Sequence, residues 1–541
     1  MRPDAPAVLT RRACLGAAGL LLAGCRGPSA EAPDWTARWV GTDLERGHRL
    51  RDHGLPPASL PARRCGVLVL GGGVAGLTAA RRLIQAGVDD VHLLELEDSA
   101  GGNARGHEVG GQPCPLGAHY LPLPGPSARE VQALLEELGL LRRKNGRWVA
   151  DERHLCHSPQ ERLFYDGAWV EGLLPPAEAG SARLAQYRRL SQQVSNARQH
   201  LGFALPSHRA RWTADHAALD GQTFAAWLDA QGFHDPGLRW YLDYCCRDDY
   251  GADSRRVSAW AGLHYFASRH GFHAPGDDAA EREPVLTWPE GNAWITRRMA
   301  SAIGSDRLHG GQTVLQVRSD RGPQAGVQVL AWDEALGAAR SWSAQAAVLA
   351  LPAHVATRVW ADAPKALTAL AAATPTAPWL VANLRLKAPL LERVGAEPAW
   401  DNVPFGSPGL GYVDAGHQDL RPDRPRMLLT AYRALPEGER GALLTQSAHA
   451  WAQRLVDELS SLHPDLPQRL AEVHLMRYGH AMAIPAPGLR GHPARPALRQ
   501  LGGRLQWAHA DLAGCSVFEE ACAAGAEAAE RCLRALGRPA R

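Results

Sequence analysis

The chain has 541 residues, 45% hydrophobic and 21% charged, with a formal net charge of +3. That composition excludes a disordered or low-complexity chain, provides for two sizeable domains, and gives no reason to expect a nucleic-acid partner. The ten cysteines include no CxxC pair, and a chain of this size needs no disulfide framework.

In chain order, Thr10-Arg-Arg-Ala-Cys-Leu15 precedes an apolar run, 13–24, that ends in Leu22-Ala-Gly-Cys25. The run is too short to span a bilayer and reads as the apolar region of a signal. Paired arginines before it resemble a twin-arginine export signal, and Leu-Ala-Gly-Cys resembles a bacterial lipobox with Cys25 as the lipidated residue. Cys14 and Gly16 stand where Phe and Lys are more usual, so a plain secretory lipoprotein signal stays open. Residues 1–25 are thus expected to be a signal. The mature chain is expected on the periplasmic side, anchored to the membrane through lipid. Residues 26–63, rich in Pro, Arg and Gly, read as a tether docked in part through Trp35 and Trp39.

Gly66-Val-Leu-Val-Leu70, then Gly71-Gly-Gly73-Val74-Ala75-Gly76, an apolar helix and Val91-His-Leu-Leu-Glu95 follow. The order is strand, glycine turn, helix, strand, acid. Glycines let backbone N–H groups approach a pyrophosphate at the positive end of the helix dipole. Glu95 falls 24 residues after Gly71, where a carboxylate meets ribose hydroxyls. The motif predicts a dinucleotide. Twin-arginine export carries folded, loaded proteins, and nicotinamide cofactors lack a supply outside the cytoplasm, so the dinucleotide is expected to be FAD.

Next come Ala100-Gly101-Gly102-Asn103-Ala104-Arg105 and Gly117-Ala118-His119-Tyr120. Ser127 and Glu130 read as a capping box before Val131, Leu134, Leu135 and Leu138, opening a mostly helical stretch to about residue 280. The aromatics between 241 and 266 read as core rather than pocket. His154-Leu-Cys-His157 lacks the partners a metal needs, so no metal is expected. From 285 the pattern turns to strands: Thr287-Trp-Pro-Glu-Gly-Asn292 leads into a helix, 312–317 and 327–330 pair, and 346–352 is a buried strand ended by Pro. Leu505-Gln-Trp-Ala-His-Ala-Asp511 and Gly514-Cys-Ser-Val-Phe-Glu-Glu520 lead into an Ala-rich helix, 521–536. Neither GxSxG nor HExxH occurs.

Four of these blocks (71–95 with Gly101-Gly102, 288–291, 348–352 and 507–524) together resemble the flavin-containing amine oxidase superfamily, which also holds protoporphyrinogen oxidases and phytoene-type desaturases. The resemblance implies an α/β fold: a Rossmann-like FAD-binding domain (GR2-type) from 64–125, 285–360 and 471–541, interleaved with a mixed α+β substrate domain from 126–284 and 361–470. It implies that Gly71, Gly73, Val74, Ala75 and Gly76 hold the pyrophosphate, with Gly101, Gly102, Asn103 and Arg105 completing the cofactor loop. Glu95 would meet the ribose, the Val314 backbone the adenine, and Asp511 the ribityl-pyrophosphate. Ser516, Val517 and Phe518 would approach the flavin with the last helix N-terminus, or Asp511 would merely cap that helix.

The sequence departs from amine oxidases in several respects. Many carry a Lys that bridges a water to flavin N5, whereas here Asn383 stands near that position and Lys387 is out of register. Two flanking aromatics are not evident. Met476-Arg-Tyr-Gly-His-Ala-Met-Ala-Ile-Pro485 is closer to the desaturase and protoporphyrinogen oxidase branch. Candidate catalytic residues are His119, Tyr120, Asn383, Tyr478 and His480, a histidine serving to deprotonate an alcohol or amine. The expected function is FAD-dependent oxidation of a C–N, C–C or C–H bond in a small or apolar substrate by hydride transfer to N5, with the electron acceptor unassigned. The alternatives are an amine (polyamine) oxidase proper, a non-catalytic flavin-binding lipoprotein, and an NAD(P)-dependent dehydrogenase.

Overall fold

The structure, a computed structural model, describes residues 34–269, 271–276, 284–320, 326–419 and 427–538. The expected signal and Cys25 lie outside the described residues. Two sheets organise the chain. In the first, the strand Ala58–Leu70 runs parallel to Val91–Leu94 on one side and to Ala338–Leu349 on the other. Leu505–Trp507 joins in parallel, and Val327–Asp333 with Gln312–Ser319 extend the sheet antiparallel. Val67 to Leu70 are fully buried because helices cover both faces. Val67 and Val69 pack with the helices Val74–Gln85, Ala293–Ile303 and Phe518–Ala535. Leu68 and Leu70 pack with Ala353–Val359 and Lys365–Ala373.

The second sheet has eight strands, in the order Thr36–Trp39, Leu470–Ala483, Thr376–Leu386, Leu428–Ala434, Tyr412–Asp414, Asp401–Pro404, Glu161–Tyr165 and Ala168–Glu171. Period-2 alternation divides its two cores. Leu380, Ala382 and Leu384 face the helix Ala448–Leu459. Ala377, Trp379 and Val381 face the helices Ala182–His200, Pro236–Tyr250 and Ala259–Ala267. The aromatics around Tyr250, Trp260 and Phe266 sit in this second core, as the sequence indicates.

Several expectations need correction. The segment read as a tether is folded from residue 36 onward. Thr36–Trp39 pairs in parallel with Leu470–Ala483, Leu44–His53 is helical, and the nucleotide-side strand begins at Ala58. Residues 471–483 belong to the second sheet rather than the FAD side, because their strand pairs along its length with Thr376–Leu386. Two hairpins, within 141–150 and 161–171, precede the helical stretch. The helix Arg129–Glu137 carries no side-chain cap, since Ala128 rather than Ser127 stands at its N-cap, and Glu130 pairs with Arg209.

Trp35 shows how firmly the first strand is docked. It is 5% exposed, packs in the core under the second sheet, and stacks on His449 at 4.7 Å. Trp35→Ala is expected to cost about 3–5 kcal/mol in urea unfolding, in line with other buried aromatic truncations.

Candidate functional site

A deep cavity opens where the two sheets meet, and its lining draws on both. On the nucleotide side lie Gly71 to Ala75, Glu95 and Gly101 to Ala104. Gly71 has φ 105°, a left-handed turn that favours glycine, and a Cβ on Gly76 would run into the Gly71 carbonyl oxygen. The helix Val74–Gln85 starts at Gly73 without a side-chain cap, so its first-turn N–H groups are left for a ligand. Phe518–Ala535 starts at Val517 in the same uncapped way, and its first residues line the same cavity. Two positive helix ends thus converge on one space, which suits an anionic pyrophosphate at one end and electron-rich flavin at the other. Glu95 is buried, and its two carboxylate oxygens accept from Gly72 N at 2.6 Å and Glu97 N at 3.0 Å. Burial pushes its carboxyl above the ordinary range, against those two bonds.

Asp511 lines the cavity but does not cap the last helix. Its Oδ2 accepts from Ala353 N at 2.8 Å, at the start of Ala353–Val359, and its Oδ1 stands 3.1 Å from His509 Nδ1. Burial raises its carboxyl, yet the adjoining His509 and that backbone bond bring it below the usual range. Ser516 Oγ accepts from Ala483 N at 3.0 Å, tying the two sheets together beside the cavity. Asn103 lines the wall and donates to the Ala481 carbonyl at 2.6 Å. Arg105 and Val314 stand outside the lining. Arg105 is turned inward to the carbonyls of Gly102 and Gly41, where it pins the loop. Val314 packs against the core on the far side of the first sheet.

The second half of the cavity is walled by rings. His119 stacks on Tyr432 with centroids 4.3 Å apart and meets Tyr120 edge-on at 5.0 Å. Tyr432 and Tyr478 donate to the carbonyls of Gly117 and Leu116 at 3.1 and 2.8 Å, which fixes both rings. Trp379 and Val381 complete the wall. Among these rings Tyr120 donates its hydroxyl to Asp248 Oδ2 at 3.2 Å. Asp248 is pushed up to about 7 by burial and by the neighbouring charge of Asp249, against the Tyr120 bond. Asp249 itself pairs with Arg269 at 3.1 Å.

Of the five catalytic candidates, His119, Tyr120, Tyr478 and His480 line the cavity. Burial drives His119 down to about 3, and partial desolvation with the neighbouring His354 and Arg440 lowers His480 to about 4, so both are neutral at neutral pH. His480 lies against His354 at a tilt, with centroids 4.3 Å apart, and shares a hydrogen bond with Thr376 Oγ1 at 2.7 Å. Asn383 is not in the lining. It is fully buried, donates to the Pro115 carbonyl at 3.0 Å and accepts from Thr430 at 2.7 Å. On its strand the residues lining the cavity are Thr376, Trp379 and Val381, so the two that lie nearest Asn383 in sequence are apolar. Lys387, at the strand's end, pairs with Asp34. Asn383→Ala is therefore expected to lower stability by about 1–3 kcal/mol through two orphaned partners, with the flavin spectrum and KM unchanged.

Sequence reasoning missed Asp248, Asn292, Trp379 and Tyr432. The adjacent acids Asp248-Asp249, set in an aromatic helix, were a usable signal for a buried carboxyl. Asn292 carried no such signal. It is buried, donates to the Tyr120 carbonyl at 2.8 Å, and leaves its Oδ1 without a partner on the cavity wall. Two aromatics do flank the cavity, Tyr432 and Tyr478, brought together from distant strands.

Comparison with known proteins agrees with this geometry. Over 97 residues the chain is 50% identical to a coproporphyrinogen III oxidase of Mycobacterium leprae, covering 18% of this chain and 20% of that protein. Over 307 residues it is 24% identical to an L-amino acid dehydrogenase of Synechocystis, covering 56% and 60%. The chain thus spans about a fifth of the first relative and less than two thirds of the second. A redesigned putrescine oxidase (17% identity, TM-score 0.64) and cyclohexylamine oxidase from Brevibacterium oxydans (18%, 0.63) share its fold, each over 88% of this chain and 100% of the other. Residues 74–533 match the flavin-containing amine oxidoreductases, from the first turn of the nucleotide helix almost to the end of the last one. The chain belongs to the flavin-containing amine oxidoreductase family, and its cofactor is FAD.

Proposed function

We propose that the protein oxidises a small amine at the carbon bonded to its nitrogen, with the Asp248 carboxylate binding the cationic form and taking up the ammonium proton that must leave before the neutral amine gives up hydride. The observation that carries this reading is a half-buried carboxyl, raised by desolvation, on the aromatic half of a cavity whose other half is a glycine cradle. A carboxyl in such surroundings calls for a cation, because an uncompensated buried charge is costly. FAD, when bound, supplies the two-electron acceptor at N5. The protein's own residues bind and orient. Gly71 to Ala75 and the two uncapped helix ends hold the dinucleotide. His119, Tyr432 and Tyr478 exclude water and confine the substrate. Tyr120 holds Asp248 in place and can pass it a hydrogen bond in either protonation state. This reading reverses the doubt raised by the absent lysine.

A second reading, oxidation of an apolar ring system, draws support from the run 476–485 and from the short stretch of high identity to a coproporphyrinogen III oxidase. We further propose export and acylation at Cys25, on the strength of the arginine pair and the Leu-Ala-Gly-Cys sequence. Anaerobic bleaching of the bound flavin by putrescine, cyclohexylamine, L-amino acids and coproporphyrinogen III, side by side, tests the substrate class. Bleaching by an amine is expected. Bleaching by coproporphyrinogen III alone would replace the amine reading with the second.

A further inference from the structure

The loop 387–396, between the strands Thr376–Leu386 and Asp401–Pro404, has an inverted polarity. Its polar groups are tied to the body of the protein. Lys387 Nζ bonds Asp34 at 2.6 Å, and Leu391 N donates to Asp465 Oδ2 at 3.0 Å. Glu392 accepts from the buried Arg162 at 3.1 Å, and Arg393 donates to the Ser461 carbonyl at 3.0 Å while lying over Phe164. Trp169 N donates to the Val394 carbonyl at 3.0 Å, and Gly395 packs so closely on Trp169 that a Cβ there would strike its backbone. The loop is therefore held in shape. Its aliphatic side chains nonetheless point outward: Leu391 is 63% exposed and Val394 76%, the two largest values among the exposed large hydrophobics of the described residues. A fixed loop that anchors its charges and presents its aliphatics is shaped to be covered.

Its position indicates what covers it. The root of the loop, Lys387, touches Asp34, where the described chain begins. Nine residue steps separate Asp34 from Cys25, a reach of at most about 32 Å even when fully extended. An acyl group on Cys25 would thus keep the root of this loop within that distance of a bilayer. Among the described residues no helix is long and apolar enough to cross a membrane, so contact there would be superficial. Lipid anchoring is strengthened by a second contact of this kind, which the outward aliphatic tip can supply.

We propose that the loop 387–396 is a membrane-docking element that inserts Leu391 and Val394 into the bilayer to which Cys25 is anchored. The inference rests on the lipoprotein reading above, and the test separates the two. The full chain is reconstituted into vesicles of phosphatidylethanolamine and phosphatidylglycerol with a fluorophore on Val394→Cys. The comparison carries the probe on Leu336→Cys, an exposed tip of the first sheet. The unsubstituted chain gives the labelling background. Brominated acyl chains are expected to quench the probe at 394 at least about twofold and to leave that at 336 unchanged. Mass spectrometry of the N-terminal peptide reports acylation independently.

An acylated chain with no quenching at 394 overturns the docking loop and leaves lipidation standing. Quenching at 394 without acylation supports the loop and removes the lipoprotein reading. Neither signal removes both. A probe at 394 that responds to protein concentration without vesicles would mean that a second copy covers the loop, which also overturns the proposal. As a check independent of labelling, Leu391→Asp with Val394→Asp should reduce vesicle cosedimentation of the Cys25→Ser chain, and unchanged cosedimentation would count against docking.

Discussion

Asp248→Asn is expected to lower kcat/KM for a cationic amine by about 10²- to 10³-fold, as loss of a buried charge partner does, with the flavin spectrum intact. The pH dependence follows from the same group. The Asp248 carboxyl stands at about 7, so the charged form that attracts a cation accumulates as pH rises through that value. In the wild type kcat/KM should climb between about pH 6 and 8 with one ionisation, and in the variant that limb should vanish. The stability effect has the opposite sign. A carboxyl raised in the folded state binds its proton more tightly there than in the unfolded chain. Stability is therefore lost as pH rises from the ordinary carboxylate range through 7, and the full loss is present above it. Removing the charge should make the variant more stable than the wild type near pH 8, by up to about 4 kcal/mol, and no more stable below pH ~4. A variant less active but not more stable at high pH would show that Asp248 carries no buried charge.

Gly73→Ala is expected to separate cofactor binding from folding. Gly73 has φ −71°, an ordinary conformation for any residue, and the nearest atom to an added Cβ is the Gly102 Cα at 3.9 Å. Nothing in the protein itself demands glycine there, so thermal stability of the FAD-free chain should change by less than about 1 kcal/mol. The residue lines the cavity at the start of the nucleotide helix, where a methyl group would hold a pyrophosphate off the N–H groups. FAD affinity should fall at least ~10²-fold, about 2.7 kcal/mol, as read by the fraction of flavin released on gel filtration. Gly76→Ala should behave differently, losing stability as well, because its Cβ meets the Gly71 carbonyl rather than open space. Equal FAD content in Gly73→Ala and wild type would place the pyrophosphate elsewhere.

The nucleotide half of the site was legible in the sequence because its elements are contiguous. Gly71 to Gly76, the helix after them and Glu95 form one strand–turn–helix–strand unit, and local residue order dictates its geometry. Ser516 to Phe518 were reached through the family resemblance, and they line the cavity at the start of an unbroken Ala-rich helix. Arg105 follows in the next block, but its side chain turns away from the cavity in a way that spacing does not encode.

The substrate half was legible only in part. Asn383 and Val381 lie on the same strand two residues apart and share a face, so alternation alone could not say which reaches the cavity. That depends on where Pro115 and Thr430, far away in the chain, meet the strand. Tyr432 comes from a strand whose sequence signals nothing beyond burial. The docked N-terminal strand was hidden likewise, since Thr36–Trp39 becomes a strand only by pairing with Leu470–Ala483. Residue order, with the family resemblance it carries, thus specified the fold class and the dinucleotide, because short-range turns and helix ends create the motif. The ring-lined chamber, the raised carboxyl of Asp248 and the neutral histidines arose only on folding, since desolvation and the convergence of distant strands set their geometry and their proton affinities.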